Sequence, residues 1–365
     1  MTHGYSYTFP ALRGIQAGRQ YYVAMCPLRL LPKLFLFDED ELPAELRAQR
    51  CLNAARVPDI VSYILSNRKD YAFSAIVASI DGDVVFEPAN MPSGVTDAGS
   101  IVIPMSARFI VNDGQHRRAA IEVALQEDLT LGDETIAVVF YVDAGLCRSQ
   151  QLFADLNKHA VRPTKSIGIL YDVRDPVARL VRELSNSIAC FKGLTELEKT
   201  TISNRSTKLF TLSAIHQATT ALLNKKEEDL LSPVERDLAF QFWNILCGLI
   251  REWDLAARRK VSSAELRREF VHSHAVVLQA IGLAGHALVT QHPNDWHDRL
   301  SPLQSVDWSR SNRCWEGRAM IDGRMNKSWR SILLTSAYLK HQLQLDLTPE
   351  EITLEQNGGA AEARL

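Results

Sequence analysis

A chain of 365 residues with 46% hydrophobic and 23% charged side chains can bury one large core or two ordinary ones, so a soluble globular protein is expected. Its formal net charge of −2 excludes steering of an anionic partner by the field of the whole molecule, and any nucleic-acid or phosphate binding has to come from a local patch. The N-terminus MTHGYSYTFPALRG lacks the basic start and apolar core of a signal peptide, and no stretch nears the roughly eighteen apolar residues of a membrane span, which points to a cytoplasmic protein without a membrane partner. Six scattered cysteines (Cys26, Cys51, Cys147, Cys190, Cys247, Cys314) form no CxxC pair and no zinc spacing; they read as buried thiols, and no metal site is expected.

From about residue 20 to 165, short β-branched or aromatic runs (YYVAM, FSAIVASI, DVVFEP, SIVIP, ARFIVN, IAVVFYV) alternate with helix-like stretches such as ELRAQRCLN and DIVSYILSN. Asp81-Gly82 between two of the runs is a hairpin signal. Beyond about 166 the strand signals stop and apolar residues recur at helical spacing. Helix starts are expected at Asp175-Pro176, at Ser232-Pro233 with Glu235, at Ser262 with Glu265, and at Thr348-Pro349. The expected architecture is an α/β domain over 1–165 followed by an all-α domain over 166–365.

The stretch FIVNDGQHRRAA, residues 109–120, reads as strand, tight turn and helix start. Asn112 or Asp113 can cap, Gly114 permits a positive φ or close approach to a ligand, and Ala119, Ala120, Val123 and Ala124 form a buried stripe. The first amides of a helix are unsatisfied and carry the positive end of its dipole; with Arg117 and Arg118 beside them, phosphate is the natural guest. A plainer reading has Asp113 capping, His116 on the surface, and the arginines paired with Glu122 and solvent. A second polar junction, FADLNKHAVRPTKS at 153–166, turns Phe153 and Leu156 inward and clusters Asp155, Asn157, Lys158 and His159, of which Asn157 could bind phosphate, ribose or a metal-bound water.

Two segments are candidates for DNA contact. The window 308–341 holds seven Lys/Arg (Arg310, Arg313, Arg318, Arg324, Lys327, Arg330, Lys340) against two acids, interleaved with Trp308, Trp315 and Trp329. The tryptophans suit core anchors better than stacking platforms. The second segment, 258–268, carries Arg258, Arg259, Lys260, Arg267 and Arg268, while the wider stretch 195–268 is nearly charge-balanced. His272 and His274, two apart, are expected to pack or hydrogen-bond rather than bind metal.

The segment NDGQHRRAA resembles the DGQHR motif of a family related in fold to ParB N-terminal domains and sulfiredoxin, and more closely the DndB family of bacterial DNA phosphorothioation systems. The resemblance extends through FPALRGIQAGRQYYVAMCPL, RVPDIVSYILSNRKDYAFSA, LFADLNKHAVRPTKS, SNRSTKLFTLSAIHQAT, WSRSN and WEGRAM, nearly the whole chain. It implies a ParB/sulfiredoxin-like mixed sheet and a regulator that binds promoter DNA and represses or tunes the sulfur-modification genes. Double-stranded DNA, other proteins of that system and a second copy of the chain are the implied partners. Gly114, Arg117 and Arg118 match positions that hold phosphates in ParB-type motifs, and Asn157 sits where that fold has a second ligand-binding asparagine. Asp113, Gln115, His116 and Lys158 complete the expected site, with ATP or CTP and Mg as its ligand. Gln115-His116 stand where ParB has basic residues, so cytidine specificity does not carry over. The alternative is a nucleotide-hydrolysing or DNA-nicking enzyme of the same antiphage system, with Asp113 and His116 as catalytic candidates, although neighbouring helix positions need not bring the two together.

Overall fold

The computed structural model describes residues 5–35, 54–90, 96–144, 148–158, 163–226 and 229–362. The chain divides into two compact units, residues 1–161 and 162–365. In the first, β1 (Ser6–Gln16), β2 (Arg19–Pro27), helix α1 (Leu31–Leu34), α2 (Val57–Ser66), β3 (Ile76–Asp81), β4 (Val85–Pro88), β5 (Ala98–Pro104), β6 (Arg108–Asp113), α3 (Gln115–Glu127), β7 (Thr135–Val142) and α4 (Ser149–Lys158) follow in order. The expected helix ELRAQRCLN lies outside the described residues.

The strands form one mixed sheet in the order β4-β5-β1-β2-β7-β3-β6. Only β3 and β7 run parallel; every other pairing is antiparallel. Alternation puts Ala11, Ala24, Val138 and Ile76 in one register row across four strands, all buried. Phe9, Cys26, Ile101, Phe140 and Val111 share their core with Leu31 and Leu34 of α1, Val61 and Ile64 of α2, and Ala120, Ile121 and Ala124 of α3. Leu12 and Met25, one residue out of phase with that row, are exposed.

Asp81-Gly82 does not make a hairpin. β3 pairs with β6 and β7, β4 pairs with β5 near the opposite edge, and Asp81 instead holds Arg108 across the β3–β6 ladder. The side-chain pattern of β3 decides this: Ile76, Ala78, Ser79 and Ile80 are all buried, which an interior position satisfies and a two-stranded ribbon with β4 does not.

The second unit contains α5 (Lys165–Tyr171), α6 (Pro176–Ser187), α7 (Leu212–Leu223), α8 (Pro233–Leu249), α9 (Arg251–Ala257), α10 (Ser263–Glu269), α11 (Ala275–Gln291), α12 (Trp296–Arg299), α13 (Trp329–Gln342) and α14 (Pro349–Glu362). It is not purely helical: β8 (Thr195–Glu196) pairs in parallel with β9 (Phe210–Thr211), and β10 (Met320–Ile321) pairs with β11 (Arg324–Met325) as a hairpin through Asp322-Gly323. Both turn residues have positive φ, 50° and 69°, the backbone of a two-residue turn that an Asp-Gly pair supplies.

The helix starts fall where the caps direct them. Asp175 accepts from the Val177 amide, Ser232 and Glu235 form a reciprocal capping box, and Ser262 accepts from Glu265 N–H. Thr348 accepts from Glu351 N–H at the start of α14. The core is aromatic, with Phe191, Phe210, Phe242, Trp243 and Trp253 in a chain of edge-on contacts. At its centre α7 and α11 approach so closely that a Cβ on Gly282 would stand 2.2 Å from the Ala218 carbonyl oxygen. Cys26, Cys190 and Cys247 are buried, Cys314 is partly so, and Cys51 and Cys147 lie outside the described residues.

Candidate functional site

The motif lies where β6 gives way to α3. In the β3–β6 ladder Ala78 faces Val111 and Val77 faces Asp113, so Asn112 is an extra, bulged residue. Its fully buried side chain donates to Ser79 Oγ at 2.8 Å and accepts from Ser149 Oγ at 2.7 Å, tying β3, β6 and the start of α4 together. Asn112 is therefore not the cap expected from the sequence. The N-cap is Gly114, with φ 104° and ψ 15°, which has no side chain with which to cap the helix. In the stripe of α3, Ala120, Ile121 and Ala124 are buried, whereas Val123 faces outward because it falls on the flank of the helix.

Both guanidinium groups are engaged inside the unit. Arg117 Nη2 donates to Asp113 Oδ2 at 2.9 Å and to the Ala75 carbonyl at 3.1 Å, and it lies over Gly114, 3.0 Å from where a Cβ would be. Asp113 is thus committed to Arg117 and caps nothing. Arg118 pairs with Glu122 at 3.1 Å, and burial, opposed by Glu122, lowers its pKa. Nε of each arginine is buried without a hydrogen-bond partner among the described residues. Burial first, then the charges of Arg56 and Arg117, push the His116 imidazole below its usual range, against a smaller opposing effect of Asp113.

The helix that leads into the second junction, α4, is tied to the motif at its first residue, Ser149. Lys158 is exposed nine residues beyond Ser149, about 13 Å along the helix at 1.5 Å per residue. Asn157 is on the same helix, with its side chain outside those described, as is all of His159. Leu156 is exposed, not inward, and Asp155 accepts from Gln151 at 2.6 Å.

In the second unit the two basic segments, some forty residues apart in sequence, meet. Arg310 N–H donates to the Glu269 carbonyl at 2.8 Å, Val271 N–H to that of Trp308 at 2.9 Å, and Phe270 bridges Ser309. In these two segments Arg259, Lys260, Arg313, Arg324 and Arg330 are exposed and have no side-chain partner among the described residues. Arg258 pairs with Asp254 at 2.9 Å and Arg268 with Glu269 at 2.6 Å, both at the surface, where water screens such pairs. Arg310 also donates to the Gly323 carbonyl at 3.1 Å, and Lys327 to Gln217.

Two of the expected DNA contacts are structural instead. Arg267 directs its guanidinium at the carbonyls of Ser203, Ser206 and Lys208, and Arg318 pairs with Glu355 while donating to the Leu334 carbonyl. Each is partly buried, so its charge is spent on internal acceptors. Trp308 and Trp315 stack in the core at 5.4 Å, whereas Trp329 is half exposed and donates to Glu350. Trp253 N–H donates to Nδ1 of the buried His272 at 3.0 Å, and the His274 ring sits 2.9 Å from the Arg267 carbonyl.

A family model described as DndB, DNA-sulfur modification-associated, matches residues 9–346. The chain belongs to the DndB family. Comparison with curated proteins and with solved structures gives no significant match. DndB membership connects the chain to a DNA sulfur modification system, and the match extends over parts of both units. No helix among the described residues of this DndB-family chain is long and apolar enough to cross a membrane. Sequence reasoning passed over Lys199 and Arg205, which line a cleft on the loop before β9; the available signal was the density of hydroxyls and cations in KTTISNRSTK.

Proposed function

We propose that this DndB-family chain is a DNA-binding regulator of the sulfur-modification genes, built on a ParB-like first unit whose DGQHR junction takes a nucleotide phosphate. The observation that carries the DNA reading is the seam at Glu269 and Arg310, which gathers cations from two distant segments onto one part of the second unit. Unpaired surface guanidinium groups suit backbone phosphates, each of which releases condensed counterions when neutralised. At the junction, the start of α3 behind a glycine N-cap and the guanidinium over Gly114 fit a phosphate, with ATP or CTP and Mg as the ligand class. Such a phosphate would compete with Asp113 for Arg117. Binding is tested by fluorescence anisotropy with the promoter duplex of the modification genes and an unrelated duplex, at salt from about 50 to 200 mM. Tighter binding to the promoter and a steep loss with salt support the reading; no binding to either duplex overturns it.

A second reading, nucleotide hydrolysis or DNA nicking, draws on His116, whose lowered pKa keeps the ring a neutral base near pH 7. Phosphate release or plasmid nicking that disappears in His116→Ala and Arg117→Ala would favour it over pure regulation.

A further inference from the structure

The loop between β8 and β9, residues 197–209, has little regular structure, yet its backbone is held from several sides. Arg267 of α10 donates through Nη1 to the Lys208 carbonyl, and through Nη2 to those of Ser203 at 2.9 Å and Ser206 at 3.1 Å. Ser166 Oγ donates to the Lys199 carbonyl at 2.9 Å, Thr164 Oγ1 to that of Glu198, and Ser263 Oγ to that of Thr207 at 2.8 Å. In a planar trans peptide the N–H points opposite to the C=O. Turning the Ser203 carbonyl toward Arg267 therefore turns the Asn204 N–H away from it. The backbone N–H groups of Thr201, Ile202, Ser203, Asn204 and Arg205 donate to no acceptor among the described residues.

A cleft of about 450 Å³ opens on this loop, lined by Glu196, Lys199, Thr201, Ser203 and Arg205 among others. Lys199 and Arg205 are exposed and neither has a side-chain partner among the described residues. The single carboxylate of the lining, Glu196, accepts through Oε1 from the amides of Glu198 at 3.1 Å and Lys199 at 3.3 Å. The rest of the polar lining can donate: two cations, three hydroxyls and a run of free N–H groups, which together match the non-bridging oxygens of a phosphate. The loop is also tied to the basic seam through α10: Arg267, which shapes the loop, precedes Arg268, whose carbonyl accepts from Arg310 at 3.5 Å. A lone phosphate would not need that link to a second cationic segment, whereas a strand would.

We propose that this cleft seats a backbone phosphate of DNA, with Lys199 and Arg205 supplying the charge and the 201–205 segment the hydrogen bonds. The proposal rests on the DNA-binding reading above and adds a site that neither basic segment contains.

The test uses the full chain carrying Lys199→Gln with Arg205→Gln, titrated with promoter duplex by anisotropy across salt. Loss of the cationic charge on that one phosphate weakens binding to all duplexes alike and lowers the slope of log K against log salt by about 1. The melting temperature should stay put, because neither side chain holds a partner. If the double variant does unfold more easily, Ser203→Asp carries the same test, since a carboxylate placed in the cleft must weaken DNA binding. An unchanged slope and affinity in folded variants overturns the cleft assignment and leaves the DNA reading standing. A parent chain that binds no duplex removes both. ATP or inorganic phosphate that binds the parent and not the double variant, with the DNA slope unaltered, makes the cleft a seat for a free phosphate and overturns the strand assignment.

Discussion

Arg117 reaches back four residues to Asp113, Nη2 to Oδ2 2.9 Å, and the same nitrogen also meets the Ala75 carbonyl just before β3. One guanidinium therefore spans the strand end, the helix start and the neighbouring chain, over a residue with no side chain. A Cβ on Gly114 would lie 3.0 Å from both Arg117 Nη2 and Ile76 Cγ1, at a φ of 104° that L-residues avoid. Gly114→Ala should cost about 1–3 kcal/mol in urea unfolding, and equal stability of variant and parent would disprove the constraint.

Lys340 and Glu351 form a buried pair at 2.7 Å, 5% and 1% exposed at their side chains. Burial raises the Glu351 carboxyl, but the Lys340 bond and the Thr348 amide outweigh it and hold the group below its usual range. Its contribution is present above the ordinary carboxylate range and lost as pH falls through the depressed value. Lys340→Met, which strands the carboxylate, should cost about 3–5 kcal/mol, and adding Glu351→Leu should recover most of that. Chemical denaturation of the three variants decides it; a single variant as stable as the double would contradict the pairing.

Burial lowers the His274 pKa from 6.5 to about 4; the nearby charges of Arg310, His272 and Arg267 act in the same direction, and the bond to the Arg267 carbonyl opposes them. Burial lowers His272 too. The unfolded chain takes up a proton near pH 6.5 that the folded chain refuses until about pH 4, so stability is full above 6.5 and falls between those values. His274 alone accounts for about 3 kcal/mol of the loss. His274→Gln should flatten the stability curve across this window, measured by denaturant midpoints at successive pH values.

Arg267 and Arg313 lie in the two basic segments but should respond differently. Arg267→Ala releases the carbonyls of Ser203, Ser206 and Lys208 and should lower both melting temperature and DNA affinity. Arg313→Ala touches no partner among the described residues and should leave melting unchanged while reducing the DNA salt slope by about 1. Paired melting and binding curves separate them, and a drop in melting for Arg313→Ala would assign it a structural role.

The sequence made much of this legible where the signal is local. Asp175, Ser232 and Ser262 mark helix starts through hydrogen bonds to their own next residues, and six of the seven strands announce themselves as β-branched runs. β1 does not, because Pro10 and Gly14 interrupt it, yet it sits inside the sheet with Phe9 and Ala11 buried. Asp-Gly occurs at 81–82, 113–114 and 322–323; the last turns a hairpin and the first does not, since pairing partners of β3 are chosen by burial at a distance. The cluster at 112–118 is visible as a junction, and the pairing of an arginine with Glu122 follows from its four-residue spacing, but that Asp113 holds Arg117 instead of capping the helix is not legible. Likewise, cation counts over 308–341 could not separate Lys340 and Arg318, spent on Glu351 and Glu355, from Arg313 and Arg324 at the surface.

The grip of Arg267 on three carbonyls has an energetic implication for whatever the neighbouring loop meets. A stretch without repeating structure ordinarily surrenders conformational freedom when it docks, at about 1–2 kcal/mol for each residue fixed. Here that ordering is completed during folding by Arg267 together with the hydroxyls of Thr164, Ser166 and Ser263, so the loop presents a preformed receptor and spends little of its attraction on arranging itself.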